Sequence, residues 1–155
     1  SGLEPAFVNL GGAWHGLTEG VLATTLADLR ALVPAAIELV IEPGRLVARG
    51  AGFACGAVTR ARVLDDRVLR MTELSRICHL RWSQVELVAP APAAGNGERT
   101  LFAGPTCYED DVLGEWTVPP GHFEVGARIV LRDVTGYALA WNTSFGGVPA
   151  AAVIT

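Results

Sequence analysis

The chain has 155 residues, half of them hydrophobic, and a net charge of −4, which leaves material for a core and no broad basic surface for nucleic acid. No apolar run reaches the roughly 18 to 20 residues of a membrane span, and the amino terminus lacks the basic-then-apolar plan of a signal peptide, so a cytoplasmic location is expected. All 12 basic residues are arginine, so chemistry that demands a lysine amine cannot be completed by this polypeptide alone.

In chain order, residues 6–10 read as a short apolar strand running into Gly11-Gly12. Thr18 and Glu19 open a helix to about Leu32, with Val21, Leu22, Leu26 and Leu29 on one face, and Pro34 ends it. Residues 37–41 form the next strand. Strand, glycine loop, helix and strand make one βα unit and the start of another, with parallel strands. Such strands want cover on both faces, so this segment reads as cut from something larger.

After Gly50 the pattern changes to strands and turns. Residues 58–64 and 68–73 flank a hairpin turn at Asp65-Asp66, and residues 85–88 and 99–103 bracket an exposed loop at 90–97. Residues 128–134 and 137–141, separated by Thr135-Gly136, and residues 150–154 are further candidate strands. Short strands at this spacing predict a mainly β fold, an antiparallel Greek-key-like barrel or sandwich from about Gly50 onward.

Cys55, Cys78 and Cys107 are an odd number without a C-x-x-C spacing, which speaks against a disulfide framework and against a zinc site. His15, His79 and His122 do not share a helical face at i, i+4, and no metal is expected. Asn142-Thr143-Ser144 matches a glycosylation acceptor, but nothing else points to secretion.

Two places carry more chemistry. Gly11-Gly12, between a strand and a helix, lets backbone amides approach an anion, or is simply a tight turn. Glu42-Pro43-Gly44-Arg45 puts a carboxylate and a guanidinium at the carboxyl end of the next strand. In (β/α)8 barrels such loops cradle phosphates, so Arg45 suits a phosphate clamp and Glu42 a cationic ring nitrogen. A structural salt bridge between them is the alternative.

Four stretches in order then carry a resemblance: Val8-Asn9-Leu10-Gly11-Gly12, Glu42-Pro43-Gly44-Arg45, the run from Gly104-Pro105-Thr106-Cys107 through Asp111 to Leu113, and the run from Val125-Gly126 through Asp133-Val134-Thr135-Gly136-Tyr137. Together they resemble the carboxyl-terminal half of the ornithine/diaminopimelate decarboxylase family, pyridoxal-phosphate enzymes of the alanine-racemase-like fold. The resemblance covers nearly the whole chain. It implies residues 1–49 as the last βα units of an incomplete (β/α)8 barrel and residues 50–155 as a carboxyl-terminal β-domain.

The resemblance also implies roles. Gly11, Gly12, Arg45 and Tyr137 contact the cofactor phosphate, and Glu42 pairs with the pyridine nitrogen. Cys107 reaches across a homodimer interface to protonate the carbanion or position substrate. Asp111 holds the substrate side chain or orders the loop, and Tyr108 lies on the substrate side. Departures accompany these matches. Ala13 follows the two glycines where the family has a third, Tyr108 replaces an acid or amide and so counts against a basic substrate such as ornithine, and residues 142–147 replace a Phe-Asn-Gly pattern. The family's Schiff-base lysine lies upstream of this chain's first residue.

The expectation is therefore the carboxyl-terminal part of an amino-acid decarboxylase, inactive alone, whose partners are the missing barrel half, an amino-acid substrate and a second copy. Two alternatives stand beside it. One is a degenerate, non-catalytic dimerisation module; the other is a racemase of the same fold, against which Glu42 argues because a protonated ring stabilises a full carbanion.

Overall fold

The computed structural model describes residues 5–155. The chain divides into two compact units, Ser1–Arg49 and Gly50–Thr155. No described helix is long and apolar enough to cross a membrane.

In the first unit β1 (Phe7–Asn9) pairs in parallel with β2 (Glu38–Val40), Val8 opposite Leu39. Between them runs α1 (Glu19–Leu32). Thr18 caps it, accepting the Val21 N–H at 3.5 Å, and Glu19 places negative charge in the first turn, where the helix dipole favours it. Val33 is extended, as a residue before proline prefers, so the helix stops there. The Arg30 guanidinium then bonds the carbonyls of Val33, Pro34 and Ile37 at 2.8 to 2.9 Å, tying the helix end to the approach of β2. A short helix, α2 (Gly44–Ala48), follows the Glu42-Pro43 corner. No described residue of this unit is buried, and Leu32 on α1 is 79% exposed.

The second unit holds the core. Its six-stranded sheet runs β5-β8-β3-β4-β6-β7, where β3 is Gly52–Val63, β4 Val68–Thr72, β5 Glu86–Ala89, β6 Glu98–Ala103, β7 Val112–Val118 and β8 Arg128–Val134. All pairs are antiparallel except β4 with β6, so the sheet is mixed, a mainly β fold as expected. The 12-residue β3 is shared: its first half pairs with β8 and its second with β4, with register shifts at Gly52/Ala54 and Val58/Arg60. Such shifts bend a strand and let it serve two partners.

Alternation sets which side chains turn inward. Val68, Arg70 and Thr72 on β4, Thr100 and Phe102 on β6, and Ile129 and Leu131 on β8 are buried at every second position. Of these, Phe102, Ile129 and Leu131 join Val58, Leu80, Leu87, Leu113, Val118 and Phe123 in the core cluster, and each large apolar side chain removed from water contributes roughly 1.5–3 kcal/mol. Arg70 is tolerated in this layer because its guanidinium is hydrogen-bonded and paired with a carboxylate. It donates to the Phe123 carbonyl at 2.7 Å and the Thr100 hydroxyl at 2.9 Å, and pairs with Glu98 at 2.5 Å.

Two expectations are corrected, and one strand lies where none is expected. Residues 137–141 are not a strand, because Tyr137–Ala140 forms a helical turn, α3, opened by the Ala138 N–H bonding the Thr135 carbonyl at 2.9 Å. Residues 150–154 form no strand; instead the Asn142 side chain holds both backbone groups of Ala151, at 2.7 and 2.8 Å. The strand without a sequence expectation is β7, whose apolar run is interrupted by Gly114 and Glu115. The hairpin turn stands where expected, closed by Leu64 N–H to the Arg67 carbonyl at 2.8 Å.

Candidate functional site

In the first unit the glycine loop and the Glu42 corner are joined by hydrogen bonds. β1 ends at Asn9, whose side chain turns back on the chain: its carbonyl oxygen accepts the Gly11 N–H at 2.7 Å and its amide donates to Glu42 Oε1 at 2.7 Å. The Glu42 N–H bonds the Gly11 carbonyl at 2.8 Å, and the Trp14 indole N–H reaches the same carbonyl at 2.7 Å. Gly11 sits at φ +68°, a conformation glycine adopts without strain. A Cβ on Gly12 would lie 3.1 Å from the Glu42 carbonyl, a tight contact that the bare backbone avoids.

Glu42 thus presents one carboxylate oxygen fixed by Asn9, while Oε2 has no hydrogen bond among the described residues. Arg45, half-buried in α2, makes no ion pair among the described residues, so the structural salt bridge with Glu42 is not formed. Asn9 is a member of this site that residue-type reasoning did not single out. Its signal is an asparagine at a strand end two residues before a glycine, the i, i+2 spacing of an Asx turn.

In the second unit Cys107 and Tyr108 lie exposed on the loop between β6 and β7. Asp111 anchors that loop. Its carboxylate, 2% exposed, accepts from Ser75 Oγ at 3.0 Å, the Arg76 N–H at 2.7 Å, the Thr106 N–H at 3.1 Å and Thr106 Oγ1 at 2.7 Å. Its backbone closes the loop, with the Gly104 N–H bonding the Asp111 carbonyl at 2.7 Å and the Asp111 N–H bonding the Tyr108 carbonyl at 3.1 Å. Both carboxylate oxygens are thus engaged by donors of this loop and of Ser75-Arg76 and are withdrawn from solvent. Tyr108 packs against Phe145, with ring centroids 5.6 Å apart. Tyr137, the first residue of α3, is 42% exposed and meets Trp82 edge-on at 6.0 Å. No cluster of three or more metal-ligating side chains occurs among the described residues.

No family model and no curated protein sequence matches the chain. Solved structures do. The arginine decarboxylase of Paramecium bursaria Chlorella virus, bound to agmatine, superposes with a TM-score of 0.67 at 22% identity, covering 95% of this chain and 43% of that one. The diaminopimelate decarboxylase from M. jannaschi gives 0.62 at 21% identity, covering 94% and 37%. SrLDC in complex with PLP and cadaverine gives 0.63 at 15% identity, covering 94% and 41%. The chain spans about two fifths of the length of these neighbours. It shares its fold with a portion of the pyridoxal-phosphate-dependent decarboxylases.

Proposed function

We propose that this chain is the carboxyl-terminal part of a pyridoxal-phosphate-dependent amino-acid decarboxylase, inactive until a lysine-bearing barrel segment and a second copy complete it. The observation that carries the reading is the network in which Asn9 holds Glu42 beside the glycine loop, leaving one carboxylate oxygen unengaged among the described residues. The residues present fit the cofactor. Gly12 keeps a backbone N–H with no partner among the described residues, which a phosphate can engage, and Arg45 brings a guanidinium with no carboxylate partner among the described residues.

When bound, pyridoxal phosphate supplies an electron sink for the carbon that carbon dioxide leaves. Glu42 keeps the proton on the ring nitrogen, because a carboxylate beside it favours the charged form. Asn9 orients that carboxylate and prevents it from turning away. In the second unit, the resemblance assigns Tyr137 to the phosphate and the Cys107 thiol to delivering a proton to the same carbon. Asp111 serves that step by holding the loop that carries Cys107, and Tyr108 selects the substrate side chain. A decarboxylase rather than a racemase is favoured by Glu42, since only a protonated ring holds the full negative charge.

The test is absorbance. The chain is scanned with pyridoxal phosphate alone and then mixed with the lysine-bearing segment, followed by carbon dioxide release from a panel of amino acids. A near-visible band of bound cofactor on mixing, with release from at least one amino acid, supports the reading. Folded and associated halves that give neither band nor turnover favour the non-catalytic dimerisation module instead.

A further inference from the structure

Tyr108 directly follows Cys107 on the loop between β6 and β7, and its ring is seated against another. The Phe145 ring lies 5.6 Å away between centroids, tilted by 49°. Each ring rests on a fixed support. The Tyr108 carbonyl accepts the Asp111 N–H at 3.1 Å, inside the loop that the Asp111 carboxylate fastens. Phe145 opens a helical turn, Phe145–Gly147, and its carbonyl accepts from the buried thiol of Cys78 at 3.5 Å. The Cys78 carbonyl in turn takes the Thr143 N–H at 3.1 Å, so the segment that carries Phe145 is tied down on both sides of the ring.

The pair is nevertheless open to solvent: Tyr108 is 52% exposed and Phe145 49%. Two rings that meet at a tilt accept a third in edge-to-face or offset contact, and covering their apolar surface is favourable. A charged side chain placed on them would give up its hydration and needs an opposite charge in return. Asp111 is already hydrogen-bonded on both oxygens. Glu109 and Asp110, the residues after Tyr108, stand in solvent and form no ion pair among the described residues. A basic side chain gains little from such hydrated acids.

We infer that the Tyr108–Phe145 pair receives the side chain of the substrate, and that this side chain is uncharged and aromatic. The inference rests on the proposed function, because proton delivery by the neighbouring Cys107 thiol is what brings a substrate to this loop. It parts from the solved neighbours, since agmatine and cadaverine, which two of them hold, are cationic at both ends.

Two measurements test it. In the first, phenethylamine and putrescine, the amines left when phenylalanine and ornithine lose carbon dioxide, are titrated separately into the 155-residue chain and followed by amide NMR. Phenethylamine should give saturable shifts centred on Tyr108 and Phe145, with an affinity at least about tenfold above that of putrescine at the same signals. Tyr108→Ala should weaken it about tenfold, whereas Tyr108→Phe, and Glu109→Gln combined with Asp110→Asn, should each leave it within about twofold. In the second, the chain mixed with the lysine-bearing segment and pyridoxal phosphate is given phenylalanine, tyrosine, ornithine and arginine. Here kcat/KM should favour the two aromatic amino acids by about tenfold or more, and Tyr108→Ala should remove that preference. Equal binding of putrescine, shifts away from both rings, or unchanged phenethylamine affinity in Tyr108→Ala would each overturn the inference. Turnover confined to ornithine or arginine would overturn it and leave the decarboxylase reading standing. No turnover of any amino acid, with phenethylamine still bound at the rings, would overturn that reading and with it the assignment of the pair to a substrate.

Discussion

Gly104 has the least room for a side chain of the described glycines. A Cβ built there would fall 2.3 Å from Asp111 Oδ2, inside the carboxylate that fastens the Cys107 loop. Gly104→Ala must therefore displace a buried charge from its donors, and is expected to cost about 3 kcal/mol and lower the denaturant midpoint without changing its slope. An alanine variant as stable as the parent would mean that the loop yields easily and that Asp111 does not fix it. Glu42 sets the matching condition in the first unit. In the lysine-complemented protein Glu42→Ala should abolish carbon dioxide release while phosphate competition for the cofactor site is unchanged, because Gly11, Gly12 and Arg45 remain. Surviving turnover would remove the ring-nitrogen role. Asn9→Ala tests the same carboxylate at one remove: turnover should fall about tenfold or more with little change in cofactor retention, since a carboxylate free to rotate is rarely in line with the nitrogen.

At the scale of elements, the solvent face of the β4-β6-β7 region carries an ion-pair cluster. Glu115 receives Arg67 at 2.7 Å and also pairs with Arg99, which reaches Asp66 at 2.7 Å. Hydrogen bonds from Arg99, then from Arg67, hold the Glu115 carboxyl below its usual value of 4.5. A carboxyl lowered by folding stabilises the native state above its unfolded value and loses that contribution as pH falls through the folded one. Because the cluster is exposed, the effect is small and screened by salt. In low salt the parent should exceed Glu115→Gln in denaturant midpoint at pH 7, and the gap should close as pH drops below about 4.5. A gap that persists at low pH would place the stabilisation in packing. The same elements show what a sequence can disclose. The cap at Thr18, the stop before Pro34 and the strand Arg128–Val134 were legible because each depends on neighbouring residues. The helical turn at Tyr137–Ala140 was not, since five mostly apolar residues fit a buried strand or a short helix equally, and a tertiary choice decided between them. Asp111 was legible as a position through its surroundings Gly104-Pro105-Thr106-Cys107. One of its partners, Ser75, lies 36 residues away, and no local pattern announces that bond.

For the whole molecule, the two units differ in kind. The second buries a ten-residue apolar cluster, from Val58 through Leu131, between strands far apart in sequence. The first has two three-residue strands and a 14-residue helix, and none of its described residues is buried. A two-stranded sheet is marginal in water, and so is a single helix of this length. The first unit thus has local structure without the burial that offsets the entropy of ordering it, roughly 1–2 kcal/mol per residue. Residues 50–155 expressed alone should accordingly unfold in one cooperative transition, with a midpoint close to that of the whole chain. Residues 1–49 alone should give a weakly helical circular dichroism spectrum with no cooperative melt. Addition of the lysine-bearing segment should change the second result and not the first, because cover for β1, β2 and α1 is what the first unit lacks. If residues 1–49 melted cooperatively by themselves, the cover would be unnecessary, and the argument that this unit belongs inside a larger barrel would lose its physical basis.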